Sequence, residues 1–306
     1  MPELKPALAV LGPTGSGKSD LGLELASRFD GEVVNCDSVQ LYRYLNIGTA
    51  KVPEAERQGI PHHLIDMIDP DELFTAGDYI RLARPVLRDI ANRGRIPVIV
   101  GGTGFYYRAL WMGLFQGPAR NEKLRTRLES RGSIALHRLL NRLDPDAAKR
   151  IHANDRQKLI RALEVCVSTH QPITSLHGHG RDALEGFRVL ALGLDPPADL
   201  LSSRIDIRCA RMFEAGLVKE VEGILNMGFD PGSKALESIG YRQALLHLQS
   251  GLSLIEAVRL TQISTRQYAK RQRTWFRREQ GLHSLRGFGN LKETVEEAKR
   301  LAQNFI

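Results

Sequence analysis

Short, unbroken apolar runs alternate with stretches of helical spacing along the first hundred residues. Residues 7–11, Ala-Leu-Ala-Val-Leu, are apolar throughout and run straight into Gly12. A run of that length without polar alternation predicts a strand buried on both faces, as in a parallel sheet. After a glycine-rich loop at 12–19, helical spacing extends to about Phe29. Residues 32–36 predict a second strand ending at Asp37, residues 76–93 a helix, and residues 96–100 a third buried strand broken by Gly101-Gly102. Strand and helix in alternation predict a doubly wound α/β core.

The pattern changes near residue 115. From there to 186 the chain is polar, rich in Arg, Leu and Ala, and spaced as helix, with Leu159, Leu163 and Val167 at intervals of four. This predicts a helical insertion domain at 115–186 inside a core formed by 1–114 and 187–306. Residues 187–194 are strand-like and stop at Asp195-Pro-Pro, which returns the chain to the sheet. The remainder is expected to be helical to the end. A chain of 306 residues has room for two such domains.

Composition narrows the class. Hydrophobic residues are 42% and charged residues 25%, an ordinary globular balance. No apolar run reaches the roughly 18–20 residues needed to cross a bilayer, and the first residues carry no apolar signal segment, so a cytoplasmic protein without membrane contact is expected. Three cysteines, an odd number with no CxxC pair, argue against a disulfide framework or a structural zinc site. The net charge of +8 favours a polyanionic partner. Seven of the cations, Arg259, Arg266, Lys270, Arg271, Arg273, Arg277 and Arg278, fall in one stretch with no Asp or Glu. Interleaved with Tyr268 and Trp275, they suit a nucleic-acid backbone and its bases. An amphipathic helix with solvated arginines is the plainer alternative.

The candidate chemistry lies at the predicted strand ends. Residues 12–19, Gly-Pro-Thr-Gly-Ser-Gly-Lys-Ser, fit GxxxxGK[ST] in full between a strand and a helix. Glycines let backbone N–H groups turn onto phosphate oxygens, the helix adds its positive end, Lys18 adds a point charge, and Ser19 can hold Mg²⁺. Asp37 ends the second strand, where ligands of parallel sheets bind; it reads as a general base or metal contact, or as a helix N-cap. Thr103 follows the third strand in Gly-Gly-Thr-Gly. Arg204, Arg208 and Arg211 share a helical face that could close over a diphosphate. His62-His63 is a poor metal pair, since adjacent side chains diverge.

Taken together and in order, these segments resemble the tRNA dimethylallyltransferase family. The likeness runs through the phosphate loop, Asp37-Ser-Val-Gln-Leu-Tyr42, Ile47-Gly-Thr-Ala-Lys51, Pro61-His-His-Leu-Ile-Asp66 and Gly101-Gly-Thr-Gly-Phe-Tyr106. It continues through Ile151-His-Ala-Asn-Asp155, Arg161-Ala-Leu-Glu-Val165, Glu237-Ser-Ile-Gly-Tyr-Arg242 and Lys270-Arg-Gln-Arg-Thr-Trp-Phe-Arg277. Ser19 and Gly15 stand where Thr and Ala are commoner, and Val52 and Lys158 where Pro and Arg are; none of these removes a chemical role. The family's eukaryotic C-terminal zinc module is absent from this sequence, as in the bacterial form.

The resemblance implies a P-loop NTPase-like parallel sheet core with a helical insertion and a helical C-terminal region. It implies transfer of a dimethylallyl group from dimethylallyl diphosphate to N6 of the adenine 3′ of the anticodon, in tRNAs reading codons that start with U. Mg²⁺ would assist, and a monomer is expected. Asp37 would be the general base, with Thr103 and Arg208 in the catalytic set. Gly12, Pro13, Thr14, Gly15, Ser16, Gly17, Lys18 and Ser19 would hold the diphosphate, Ser19 also the metal. The tRNA contacts would be Asp37, Ser38, Val39, Gln40, Thr103, Gln157, Lys158, Leu159, Ile160, Arg161, Arg242, Lys270, Arg273 and Arg277, with Arg125 a further candidate. A small P-loop metabolite kinase explains the loop and Asp37 equally well, but not the basic helix. An RNA-binding nucleotide switch leaves Asp37 and Thr103 without tasks, and prenylation of free adenine nucleotides needs neither insertion nor basic helix.

Overall fold

A computed structural model of the chain describes residues 4–115, 117–176 and 182–306. In chain order its first elements are β1 (Lys5–Leu11), α1 (Lys18–Arg28), β2 (Gly31–Asn35), β3 (His62–His63), α2 (Ala76–Asn92), β4 (Ile96–Gly101) and α3 (Gly104–Met112). Five helices follow: α4 (Glu122–Glu129), α5 (Ser133–Leu143), α6 (Pro145–Arg150), α7 (Arg156–Thr169) and α8 (Ile173–Leu176). The chain then forms β5 (Phe187–Leu194), α9 (Ala198–Glu214), α10 (Leu217–Asn226), α11 (Tyr241–Ser250), α12 (Leu254–Phe276), β6 (Leu282–Leu285) and α13 (Lys292–Phe305). Two compact units result, one of Met1–Leu110 with Leu184–Ile306, the other of Trp111–Ala183.

The first unit is built on a six-stranded sheet of order β3-β2-β4-β1-β5-β6, parallel throughout. β1 is central because its last five residues are buried on both faces, in register with β4 (Leu8↔Val98) and β5 (Ala9↔Ala191). Leu8, Val10, Val98, Val100 and Leu192 pack on Leu21 and Leu25 of α1 and on Ala298 and Ala302 of α13. Each fully buried leucine contributes about 1.5–3 kcal/mol. The chain leaves β1 in one direction, to β2 and then β4, and later returns to its other side as β5. Such a reversal opens a crevice at the carboxyl end of β1, the usual ligand site of open parallel sheets.

Two strands depart from the sequence reading. β3 is two polar, half-buried histidines, and β6 is Leu-His-Ser-Leu inside a stretch expected to be helical. Both are sheet edges, where a strand needs little apolar surface, so neither leaves an apolar run to read.

The second unit holds α4 to α8 around Leu136, Leu140, Leu159, Leu163 and Val165. Its interior contains the fully buried carboxylate of Glu164, which accepts the Asn121 N–H (2.7 Å), Arg125 Nη1 (3.1 Å) and Arg161 Nη1 (2.7 Å). Burial alone would push this carboxyl up, but those donors outweigh it and hold it below the usual carboxylate range.

Candidate active site

The site grows from the turn between β1 and α1. Gly15 (φ +79°) and Gly17 (φ +85°) take left-handed conformations that side chains resist, and α1 starts immediately after Gly17. The N–H groups of Gly15, Gly17, Lys18 and Ser19 have no acceptor among the described residues. The Thr14 N–H donates to Gln272 Oε1 (2.8 Å), and that of Ser16 to the Pro13 carbonyl (3.3 Å). The open donors of the loop are therefore 15 and 17–19. Gly12, Pro13 and Ser16 shape the loop from behind, and the buried Ser16 hydroxyl does not face the cavity in front.

That cavity, about 780 Å³, is lined among others by Thr14, Lys18, Ser19, Asp37, Arg208 and Gln272. Lys18 Nζ donates to the Pro13 carbonyl (2.8 Å). Burial pushes its ammonium down to about 8, Asp37 pulls it partly back up, and Arg208 pushes it down further. Burial likewise lowers Arg208, whose guanidinium has no hydrogen-bond partner among the described residues. Two partly desolvated cations beside a set of open N–H groups suit a multiply charged anion. The neighbouring arginines are placed differently. Both line the same cavity, but Arg204 donates to Asn290 Oδ1 (2.9 Å) and stacks on Phe288 at 4.8 Å, while Arg211 is exposed.

Asp37 sits just beyond β2. Its N–H donates to Asn35 Oδ1 (3.0 Å), and Asn35 Nδ2 donates to the carbonyls of Asp37 (3.1 Å) and Leu64 (2.8 Å). One carboxylate oxygen accepts the Val39 N–H (2.9 Å). This is a turn bond two residues on, and no helix begins there, so Asp37 is not a helix cap. Thr103 is tied to the same turn: Oγ1 accepts the Ser38 N–H (3.0 Å), and the Thr103 N–H donates to the Cys36 carbonyl (3.2 Å). A Cβ at Gly101 would overlap that carbonyl, so glycine is required for the ends of β2 and β4 to meet. Thr103 thereby steadies Asp37 and Ser38 from behind.

A second pocket, about 310 Å³, shares Thr14, Asp37, Thr49 and Arg208 with the first. Its far wall includes Ile205, Cys209, Met212, Ile239 and Tyr268. Asp37 thus stands at a seam between a cationic phosphate cradle and a largely apolar chamber.

The residues expected at tRNA separate into groups. Ser38 and Val39 line the second pocket, and Gln40 lines the first, its Nε2 donating to the Thr49 carbonyl (3.1 Å). Arg242, Gln157, Lys158 and Lys270 are exposed. Leu159 and Ile160 are buried in the core of the second unit, so only their backbone could meet a ligand, a correction that follows from their place in its apolar repeat. Arg125 and Arg161 are held by the buried Glu164. Arg273 Nε (2.8 Å) and Arg277 Nη2 (2.9 Å) pair with Asp195 beyond β5, and Arg266 pairs with Asp206 of α9. The stretch 259–278, which has no acid of its own, is paired by Glu256 at the start of the same helix, which holds Arg259, and by acids from elsewhere in the fold. Lys270 and Arg271 instead line a groove of about 590 Å³ with Arg108, Trp275 and Arg278.

His62 and His63 are spoken for by the Ile60 carbonyl and by Glu32, each through a ring nitrogen (2.9 and 2.7 Å). Among the described residues no three His, Cys, Asp or Glu side chains cluster as metal ligands. The Ser19 hydroxyl and Asp37 carboxylate do share the phosphate-loop cavity. A few hard oxygens of this kind suit Mg²⁺, which keeps waters and takes phosphate oxygens for the rest.

Sequence reasoning missed two supports. Gln272 sits within the basic block but on the buried side of α12. Glu220 accepts the N–H groups of Asn46 and Ile47 and the Tyr241 hydroxyl, while that hydroxyl accepts the Gly48 N–H (3.1 Å). Together they fix the segment that walls both pockets. Only the Ile47 and Glu237 segments hinted at this.

Comparison with known proteins adds independent findings. A family model described as IPP transferase matches residues 40–279. A tRNA dimethylallyltransferase of Solibacter usitatus is 56% identical, with 98% of this chain and 99% of that protein covered. One of Koribacter versatilis is 52% identical over 95% and 96%. Among solved structures, a tRNA isopentenylpyrophosphate transferase from Bacillus halodurans superposes with a TM-score of 0.74 at 35% identity, covering 99% of this chain and 96% of that one. A eukaryotic dimethylallyltransferase acting on tRNA gives 0.83 at 29% identity, over 98% and 79%.

Proposed function

Since the chain belongs to the tRNA dimethylallyltransferase family, a family of prenyltransferases acting on tRNA, we propose that its phosphate loop cradles the diphosphate of dimethylallyl diphosphate while Asp37 serves the attacking adenine. The carrying observation is the convergence on one cavity of the open N–H groups at 15 and 17–19, Lys18, Arg208 and Asp37. The acceptor is N6 of the adenine 3′ of the anticodon, in tRNAs reading codons that start with U.

The exocyclic amine is a weak nucleophile because its lone pair is delocalised into the ring. The allylic carbon compensates. As its bond to oxygen breaks, the electron pair leaves with diphosphate and positive charge spreads over the allyl unit. The enzyme's main task is to stabilise negative charge gathering on the leaving group. The N–H groups of the loop, Lys18 and Arg208 are preorganised for that, in a site where burial strengthens them. N6 forms its bond to carbon and its proton becomes acidic only then, so the Asp37 carboxylate can take it, with Val39 and Asn35 holding the turn. Mg²⁺, held through Ser19, would neutralise part of the diphosphate charge. The second pocket encloses the reacting organic groups and excludes water. An adenine stacked in an anticodon loop cannot enter it, so the base is flipped out.

The test is direct. The protein is incubated with dimethylallyl diphosphate, Mg²⁺ and unmodified tRNA, and nucleosides are weighed by mass spectrometry. A prenyl gain on that adenine is expected. No gain, together with phosphate moved from ATP to a small molecule, would replace this reading with a metabolite kinase.

A further inference from the structure

Gln272 lies on the buried side of α12, and its amide spans two turns at the strand ends. Oε1 accepts the Thr14 N–H (2.8 Å) and Nε2 donates to the Gly102 carbonyl (2.8 Å). The first bond ends on the phosphate loop. The second ends on the turn that carries Thr103, and thus on the support of Asp37. A Cβ at Gly102 would press on Nε2, so the turn is shaped around the amide.

The bond to Thr14 controls more than one donor. A trans peptide is planar, and its N–H and C=O point in opposite directions. Holding the Thr14 N–H therefore also aims the carbonyl of the same peptide, that of Pro13. This carbonyl accepts Lys18 Nζ (2.8 Å) and the Ser16 N–H (3.3 Å). If the peptide rotated, Lys18 would lose its anchor and the carbonyl dipole would turn toward bound phosphate. A buried glutamine is otherwise a costly way to fill space, since an unpaired amide inside a protein is penalised.

We propose that Gln272 is a positioning residue for prenyl transfer: by clamping the Pro13–Thr14 peptide and the Gly102 turn at once, it places Lys18 over the diphosphate in fixed relation to Asp37. The proposal rests on the phosphate-loop reading above and adds a residue that does not itself carry charge to the leaving group. It also gives α12 two functions on two sides, an exposed cationic one at Lys270 and Arg271 and a buried one at the donor site.

The experiment uses inorganic pyrophosphate as a probe of the loop. Wild-type enzyme should be inhibited by it in competition with dimethylallyl diphosphate; without that competition, the phosphate-loop reading itself fails, whatever Gln272 does. Q272M keeps the length and removes both hydrogen bonds. The pyrophosphate inhibition constant should rise about tenfold, the worth of roughly one net hydrogen bond, while tRNA affinity measured without donor stays within about twofold. An unchanged inhibition constant, or tRNA affinity falling in step with it, would overturn the proposal.

Q272E supplies a second readout that a purely structural role would not move. Its carboxylate can accept from Thr14 but cannot donate to Gly102, whereas the protonated acid matches the amide at both ends. The charged and titratable groups facing it are Lys18 of α1, Asp37 beyond β2, Arg208 of α9 and Tyr268 of α12. The variant-to-wild-type ratio of inhibition constants is read at each pH, so that groups common to both proteins cancel. That ratio should fall toward one as the pH is lowered and the buried acid takes up its proton. A ratio flat with pH overturns the proposal even if Q272M does not fold.

Discussion

At Asp37 and Lys18 the chemistry can be tested one group at a time. D37N keeps an oxygen for the Val39 N–H and so preserves the turn, but it cannot take a proton. The turnover number should fall about 10²–10⁴-fold in single-turnover assays, the usual worth of general-base help. Full turnover would remove Asp37 from that role. Lys18 predicts a pH dependence of donor binding. Burial, mainly, holds its ammonium down to about 8 in the free enzyme, and a bound diphosphate pulls it back up. The bound form then holds the proton more tightly, so binding is strong below pH 8 and weakens as pH rises above it. Calorimetry in two buffers near pH 8 should detect more proton uptake on pyrophosphate binding in wild type than in K18R, whose cation does not titrate there. Equal uptake in both would mean that Lys18 does not titrate there.

At the scale of the element, α12 shows why a charge run is not yet a binding surface. Arg273 and Arg277 both lean on Asp195, and the Arg273 side chain is only 16% exposed against 62% for Arg277. A guanidinium already paired releases fewer counterions when RNA arrives. K270A should therefore reduce the slope of log affinity against log salt by about 1, and R277A by less. Filter binding of tRNA across a salt series checks the order; equal slopes for K270A and wild type would exclude Lys270 from phosphate contact. In the second unit, Glu164 ties Arg125 and Arg161 internally, so their replacement is expected to loosen α4 and α7 before it touches RNA affinity.

At the scale of the whole molecule, stability toward acid has a local origin in the first unit. Glu32 of β2 is almost fully buried and bonds Arg93, Arg95 and His63, joining the ends of β2, β3, α2 and β4. Arg93, above all, holds its carboxyl down to about 2; burial opposes this, and His63 and Arg95 reinforce it. A carboxyl depressed in the folded state contributes stability that is present above its unfolded value of 4.5 and lost as pH falls toward 2. E32Q should lower the melting temperature at pH 7, since it removes the carboxylate that Arg93, Arg95 and His63 share, and it should flatten the acid limb of stability between those pH values. An acid limb identical to wild type would place the acid sensitivity elsewhere.

Much was legible in the sequence where one local rule decides. The phosphate loop is readable because its glycines, lysine and serine act within eight residues, and the buried strands because an apolar run has few other uses. The change of period near residue 115 falls close to the start of the second compact unit at Trp111. The end of the second predicted strand placed Asp37 at the same crevice as the loop, since ligands of parallel sheets bind there. The rest depends on which face of an element meets which neighbour, and that is set by long-range packing. Only the fold could pair α12 with Asp195 and Asp206, turn Leu159 and Ile160 inward, distinguish Arg208 from Arg204 and Arg211, and add β3 and β6 at the sheet edges. Gln272 marks the boundary most sharply. The sequence places it between two arginines in a basic block, and a helix of 3.6 residues per turn carries it to the opposite side, where the loop and the Gly102 turn come within reach of one amide.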